Sequence, residues 1–366
     1  MTPLSTFEPT AGQRSERRLA AMEDALDRLD GFAFSDGPGM AVHAPMGAEA
    51  LCSLGLDDLV PAWVEGYRAR HAPIAAPARS AALDAADPAD WRDALGDPAR
   101  LSDWAELFSR LLQVEPWQAV LARWVPRLIS GFAGALTHGL LRTAHAVRAL
   151  DAVERPGALL LHELAMGLGY WAGTYKALPG PARPHGELSL ADAVDGIPRP
   201  SEPWGPMEAG QFQRLPELPH FAAAVADLAP PRGDDPLGDL TLGFARVLLA
   251  NPDAQLVALV HTITPAVAVR TLLPHVPDLT VELVYAQLWQ VNAGLVAGFL
   301  RPGAPAPVPP AEDEPPSTEW ILDRVAAHRD AHVVKLAEAC LREHARRPDP
   351  AYLLTARHVL EVVPPW

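Results

Sequence analysis

The sequence predicts an all-α fold: a single large multi-helix domain of about a dozen helices. Three observations carry this. Apolar residues recur at three- and four-residue spacing along most of the chain. Ala and Leu, both good helix formers, are heavily used, while alternating β-branched runs are almost absent. Proline, 39 residues in all, gathers in two stretches, 179–206 and 302–316, that read as connecting loops. With 366 residues, 49% hydrophobic and 20% charged, the chain can bury a large core.

The first helix is expected over 16–30, where Leu19, Met22, Leu26 and Leu29 share a face and Gly31 supplies the stop. Residues 1–14 are expected to be disordered and 15–366 to form the domain. Further helices are expected at 45–54, 57–70, 101–113, 116–129, 131–153, 157–174, 216–229, 238–250, 253–275, 279–300, 318–346 and 350–361. The segment after 302–316 is too short for a core of its own, so its helices are expected to pack back on the main body.

Lys plus Arg number 30 against 45 Asp plus Glu, a formal net charge of −15, the wrong sign for a nucleic-acid or anionic-membrane binder. Cys52 and Cys340 are the only cysteines and form no CxxC pair, which excludes a disulfide framework or a cysteine zinc site. The N-terminus has no apolar signal region, and the longest apolar run, 283–300, is interrupted by Gln287, Gln290 and Asn292; the expectation is a soluble, cytoplasmic protein.

The phosphate loop GxxxxGK[ST], the nucleophile turn GxSxG and the zinc helix HExxH are absent. Gly167, Gly169 and Gly173 form GxGxxxG inside a helical apolar run, a context that suits close helix packing and not dinucleotide binding. What stands out is histidine, with 13 residues, several at positions the helical pattern buries. A buried imidazole needs partners for both nitrogens, so each site is either satisfied by hydrogen bonds or used for metal or proton transfer.

In the expected helix 318–346, His332 falls near the middle of the stripe formed by Ile321, Val325, Leu336 and Ala339, with His328 and Lys335 along one edge. A core histidine beside a snorkelling lysine is the plain alternative to a metal ligand. His138 and His145 are two turns apart on another helix; both as ligands of one ion, one ligand plus one substrate contact, or two separately satisfied histidines all fit that spacing. His261 lies in an apolar helix where Pro265 removes the backbone donor to its carbonyl and favours a kink. His43 precedes Pro45 at a loop-to-helix junction, with Glu49 in the first turns.

The segments VHAPMGAEAL, THGLLRTAHAVRAL, LVHTITPAVAVRTLLPH and DAHVVKLAEAC, in this order, resemble the questin oxidase-like family over roughly residues 20–345. The resemblance implies an oxygenase that opens or oxidises a ring of an aromatic, anthraquinone-type polyketide with dioxygen. It also implies an Fe(II) centre held by His43, His261 and His332, with His145 as first choice and His138 as second from their helix. Lys335 is the implied carbon dioxide-derived carbamate, which would bring the anionic oxygen donor that neutral imidazoles lack. Arg142, with His138 the candidate for a substrate-facing role, either meets a substrate phenolate or carboxylate or neutralises a buried acid such as Glu49; the second is the preferred expectation. The TAHAVRAL continuation departs from the more histidine- and proline-rich run of the fungal members. Two alternatives remain: a metal-free, NADPH-dependent Baeyer-Villiger-type oxidase of the same family, for which no nucleotide motif speaks, and a non-catalytic helical binding protein for an apolar ligand.

Overall fold

The computed structural model describes residues 10–37, 40–180, 183–201, 204, 211–301, 303 and 314–365, and among them the chain is built of seventeen α-helices and one two-stranded hairpin. α1 (Ala11–Arg28) opens on a capping box: the Thr10 side chain accepts from the Gln13 backbone N–H, and the Gln13 side chain accepts from that of Thr10. This cap starts the helix earlier than expected, so residues 11–14 belong to α1 and not to a disordered tail. Residues 1–9 lie outside the described ones.

The antiparallel strands β1 (Ser35–Gly37) and β2 (Met40–Ala41) follow, then α2 (Ala44–Ser53), α3 (Val60–Arg68), α4 (Pro88–Asp93), α5 (Leu101–Val114) and α6 (Trp117–Leu128). The central pair is α7 (His138–Asp151) and α8 (Ala158–Gly173). After α9 (Leu190–Gly196) and α10 (Phe221–Ala226) come α11 (Pro236–Ala250), α12 (Leu256–Leu259), α13 (Thr264–Leu272) and α14 (Val281–Phe299). The chain closes with α15 (Thr318–Ala327), α16 (Ala331–Arg346) and α17 (Pro350–Val362). The small β1–β2 hairpin leaves the all-α expectation intact. α5, α8 and α7 stack side by side, α2 and α13 lie against α7, and α16 packs on α2 and on α17. One continuous apolar core runs through all of them, with Trp63, Trp104, Trp124, Trp171 and Trp289 fully enclosed. The last helices do pack back on the body: α17 lies on α11 as well as α16.

The expected 131–153 helix starts only at His138. Ahead of it the backbone is drawn onto Thr174–Lys176: a Cβ on Gly134 would sit 1.6 Å from the Thr174 carbonyl oxygen, and Lys176 N–H donates to Gly131 O at 2.9 Å. The expected 318–346 helix is two, because Asp330 caps α16, accepting from the His332 N–H at 2.7 Å, while His328 closes α15 in an extended conformation. The expected 253–275 helix breaks as well: α12 passes through a 3-10 turn, 260–262, before α13 begins next to Pro265. The carbonyls freed there are taken up, Val260 O by the Thr264 hydroxyl at 3.0 Å and Thr262 O by the Asn292 side chain at 3.1 Å. Leu256–His275 has the length and apolarity of a membrane span, and most of it is buried inside the protein.

Both cysteines are free and buried. The GxGxxxG glycines mark close packing, as expected: a Cβ on Gly167 would come within 2.9 Å of the Thr143 backbone nitrogen on α7. Gly167→Ala should therefore force α7 and α8 apart. Overpacking outweighs the gain in helix propensity by about 1–2 kcal/mol, which thermal unfolding will read as a lowered melting temperature with unchanged helical circular dichroism.

Candidate metal centre

Four histidines from four parts of the chain meet in the core: His43 at the start of α2, His138 as the first residue of α7, His261 in the 3-10 turn before α13, and His332 in the first turn of α16. All are buried, and His261 is 0% exposed. The His43 and His332 ring centroids are 4.3 Å apart, and those of His138 and His261 4.8 Å apart. His43 Nε2 lies 2.8 Å from His138 Nε2, which lies 3.4 Å from His261 Nε2. His43, His138 and His332 alone place a ligating nitrogen each within 4.8 Å of one another, a buried triad that can hold a metal ion.

The outer nitrogens set the direction of the lone pairs. His138 Nδ1 is 2.6 Å from the Ala135 carbonyl oxygen and His261 Nδ1 is 3.0 Å from that of Val257. A carbonyl can only accept, so each Nδ1 carries the proton and each Nε2 is bare. Two bare nitrogens 3.4 Å apart in a dry core repel each other. His332 is arranged alike: Nδ1 faces Asp330 Oδ1 at 3.3 Å while Nε2 is buried with no hydrogen-bond partner. A metal–nitrogen bond of about 2.1 Å sets neighbouring ligand nitrogens about 3.0–3.4 Å apart, so the donor set fits a cation. Metal-binding histidines commonly have their second nitrogen fixed by a carbonyl or carboxylate, as here.

Holding His138 in place takes an unusual turn. Ala135, Leu136 and Thr137 have φ of 46°, 51° and 71°, left-handed values that non-glycine residues rarely take. Each is strained by about 1–2 kcal/mol, and together they aim the Ala135 carbonyl at His138 Nδ1. His43 is fixed through its backbone, whose N–H donates to Tyr67 Oη at 3.0 Å, while the Tyr67 hydroxyl donates to buried Asp36.

Burial first, then the neighbouring imidazoles and Lys335, holds the pKa of His43, His138 and His261 well below the usual histidine value; His332 is lowered too, chiefly by burial. All four rings are therefore neutral donors at neutral pH. Lys335, one turn along α16 from His332, is enclosed, its Nζ has no hydrogen-bond partner, and burial brings its pKa down to about 7. Burial would raise Asp330, yet its bonds from His332 and the α16 backbone hold it down at about 2.

The expected order of choice within α7 is reversed. His145 Nδ1 is tied to Glu49 Oε2 at 2.8 Å, and Arg148 lies 3.1 Å from the same nitrogen. Glu49 is a buried hub, receiving Arg18 at 2.5 Å and the Ser53 hydroxyl at 2.8 Å on one oxygen and Arg148 Nε at 2.7 Å on the other. Although burial would raise it, Arg148 and His145 hold the Glu49 carboxyl well below the usual range. His328 is also apart from the cluster, bonded to Val363 O at 3.0 Å. Arg142 does neutralise a buried acid, but that acid is Glu163 and not Glu49: Nε and Nη2 reach the two carboxylate oxygens at 2.6 and 2.8 Å, and Nη1 donates to Ala33 O at 2.5 Å. Sequence reading missed Asp330, although an Asp directly before the run AHVVKL is a recognisable N-cap signal.

Asp330 thus serves two purposes that substitution can separate. Asp330→Ala should lose about 1 kcal/mol of stability with the cap. It should also lower metal affinity about 10–100-fold through loss of the His332 anchor. Asp330→Asn should restore the melting temperature and only part of the affinity, the latter measured by competition with a chromogenic chelator. No protein-family model matches the chain and no curated protein sequence matches it, so the geometry of this cluster carries the functional reading.

Proposed function

We propose that the chain is an iron-dependent oxygenase that oxidises or cleaves a ring of an anthraquinone-like aromatic polyketide with dioxygen. The observation that carries the metal is the convergence of bare imidazole nitrogens, with His138 and His261 locked by backbone carbonyls and His332 facing Asp330. His43, His138, His261 and His332 would hold the ion, with Lys335 beside them. Iron, when bound by imidazole and oxygen donors, supplies redox chemistry toward dioxygen at an open position. The aromatic substrate class rests on the family resemblance of the four motifs.

The chain's own groups have definite tasks in this reading. The Ala135 and Val257 carbonyls keep the Nδ1 protons in place, so His138 and His261 present their Nε2 lone pairs to the ion, and once bound to it they would not be available as bases. The apolar core keeps bulk water from the cluster. Lys335, with its pKa brought to about 7, is an uncharged amine in a large fraction of molecules at neutral pH. Its Nζ can form a bond to the carbon of carbon dioxide with release of one proton, leaving a carbamate anion. Lys335 borders a cavity of about 20 Å³ shared with His145, Arg148 and Glu338, where the Arg148 guanidinium is paired with Glu49 and Glu338.

Metal content per chain, measured by plasma mass spectrometry on protein purified without a metal-binding tag, tests the centre. Near-stoichiometric iron is expected in the wild type and in His145→Ala, and its loss in His138→Ala and His332→Ala. Equally low metal in all four, even after anaerobic iron addition, would sink the proposal. Lys335→Ala is expected to lose iron or dioxygen consumption with a hydroxyanthraquinone; full activity in that variant eliminates the carbamate while leaving the histidine site standing.

A further inference from the structure

A cavity of about 680 Å³ has no part in the cluster itself. It is within the range of about 300–1,000 Å³ that small-molecule sites occupy. The two helices that bring His43 and His138 into the cluster also wall it: Pro45 lies two residues beyond His43 on α2, and Arg142 one turn beyond His138 on α7. Phe32, Phe34 and Met166 give it flat, apolar surface, and the Phe34 ring is backed by Tyr170 in a stacked pair with centroids 6.1 Å apart.

Its charged lining is mostly acidic. Asp27, Asp30, Glu106 and Glu163 face it with one arginine, Arg142, and one histidine, His162; Ser109 and Ser102 complete the polar lining, the Ser102 hydroxyl donating to Pro77 O at 2.6 Å. That guanidinium is already paired, through Nε and Nη2 to Glu163 and through Nη1 to the Ala33 carbonyl, which uses three of its five N–H donors. A carboxylate brought into this cavity would meet four acids, set against His162, Ser109 and one arginine whose charge is already balanced by Glu163 and three of whose five N–H donors are bonded. A hydroxyl would meet acceptors, and a carboxylate is the stronger kind of acceptor for an O–H donor.

We propose that this cavity is the substrate chamber and that it selects planar aromatics bearing neutral hydroxyls while rejecting their carboxylated counterparts. The inference rests on the aromatic-oxygenase reading for its ligand class and adds the location and the selectivity. It assigns Arg142 to holding Glu163 in the wall, not to receiving a substrate anion.

Binding is measured by quenching of tryptophan fluorescence in protein stripped with chelator, so that metal loading and turnover do not enter. The probes are dihydroxyanthraquinone and its carboxylic acid derivative. The neutral probe is expected to bind at least tenfold more tightly. The double variant Asp27→Asn, Glu106→Gln, which changes only exposed or half-buried groups, should shrink that gap severalfold by strengthening the carboxylated probe. Glu163→Gln, where it folds, should free Arg142 and favour the carboxylated probe further. Equal affinity for both probes, a gap untouched by the double variant, or no binding of the neutral probe would each overturn the inference. The iron content of the wild type decides the metal reading separately.

Discussion

Two backbone carbonyls, those of Ala135 and Val257, are the constraint on which the centre depends. By taking the Nδ1 protons of His138 and His261 they leave two bare nitrogens facing each other 3.4 Å apart, an arrangement that repels in the absence of a cation. Each carbonyl lies next to a break in regular helix, Ala135 just ahead of α7 and Val257 in the single turn of α12. Ala135 points correctly because three successive residues adopt left-handed backbone. Val257, on α12, bonds the ring of His261, which lies where the α-helix has given way to a 3-10 turn and Pro265 follows. Irregular backbone in an otherwise regular helical core is thus concentrated where the donors are aimed, the pattern expected where strain serves a site.

A second arrangement keeps the first in register. The Glu49 carboxylate, one and a half turns along α2 from His43, draws Arg18 from α1 and Arg148 with His145 from α7, and Arg148 also reaches Glu338 on α16 at 2.9 Å. Three of these helices, α2, α7 and α16, carry a histidine of the cluster. A buried ion pair of this kind adds little net stability compared with apolar packing, yet it fixes which way helices face one another, because a buried charge left without its partner costs about 3–5 kcal/mol. His145 is recruited into that role.

The sequence made most of the long helices legible, because a core on one face leaves a 3.6-residue stripe that survives inspection. It also singled out all four clustered histidines and Lys335. What it could not decide was His138 against His145. The two sit about 20° apart on one helix, so a wheel gives them the same face. The choice falls to Glu49 and Ala135: one lies 96 residues from His145 in sequence and the other is aimed by a backbone turn whose three left-handed residues are not glycines. The merging of 318–346 into one helix has a different cause. Apolar periodicity continues across His328–Asp330 because both helices rest on the same core, and only the capping Asp330 marks the join. The short helices α4 and α9 were missed for want of length, though Asp87 before Pro88 and Ser189 before α9 are caps of the ordinary kind.

Charge balance links the centre to its surroundings. Four neutral imidazoles around a divalent ion would leave two positive charges in a dry core, and desolvation makes such a charge prohibitive unless anions lie close. Two acids stand near His332: Asp330, held ionised by the bonds it accepts, and Asp36, buried against Tyr67 and 3.2 Å from His71. Asp36 is pushed upward by burial, so its charge is the less secure of the two. An ammonium at Lys335 would add a third positive charge to the same volume. Burial already disfavours that ammonium, and a bound cation would disfavour it further by repulsion. The position thus favours a neutral amine, the form that reacts with carbon dioxide, and its conversion to an anion would bring the charge of the cluster closest to balance. On the proposed reading, the same lysine that is an energetic liability in a metal-free core becomes the group that completes the centre.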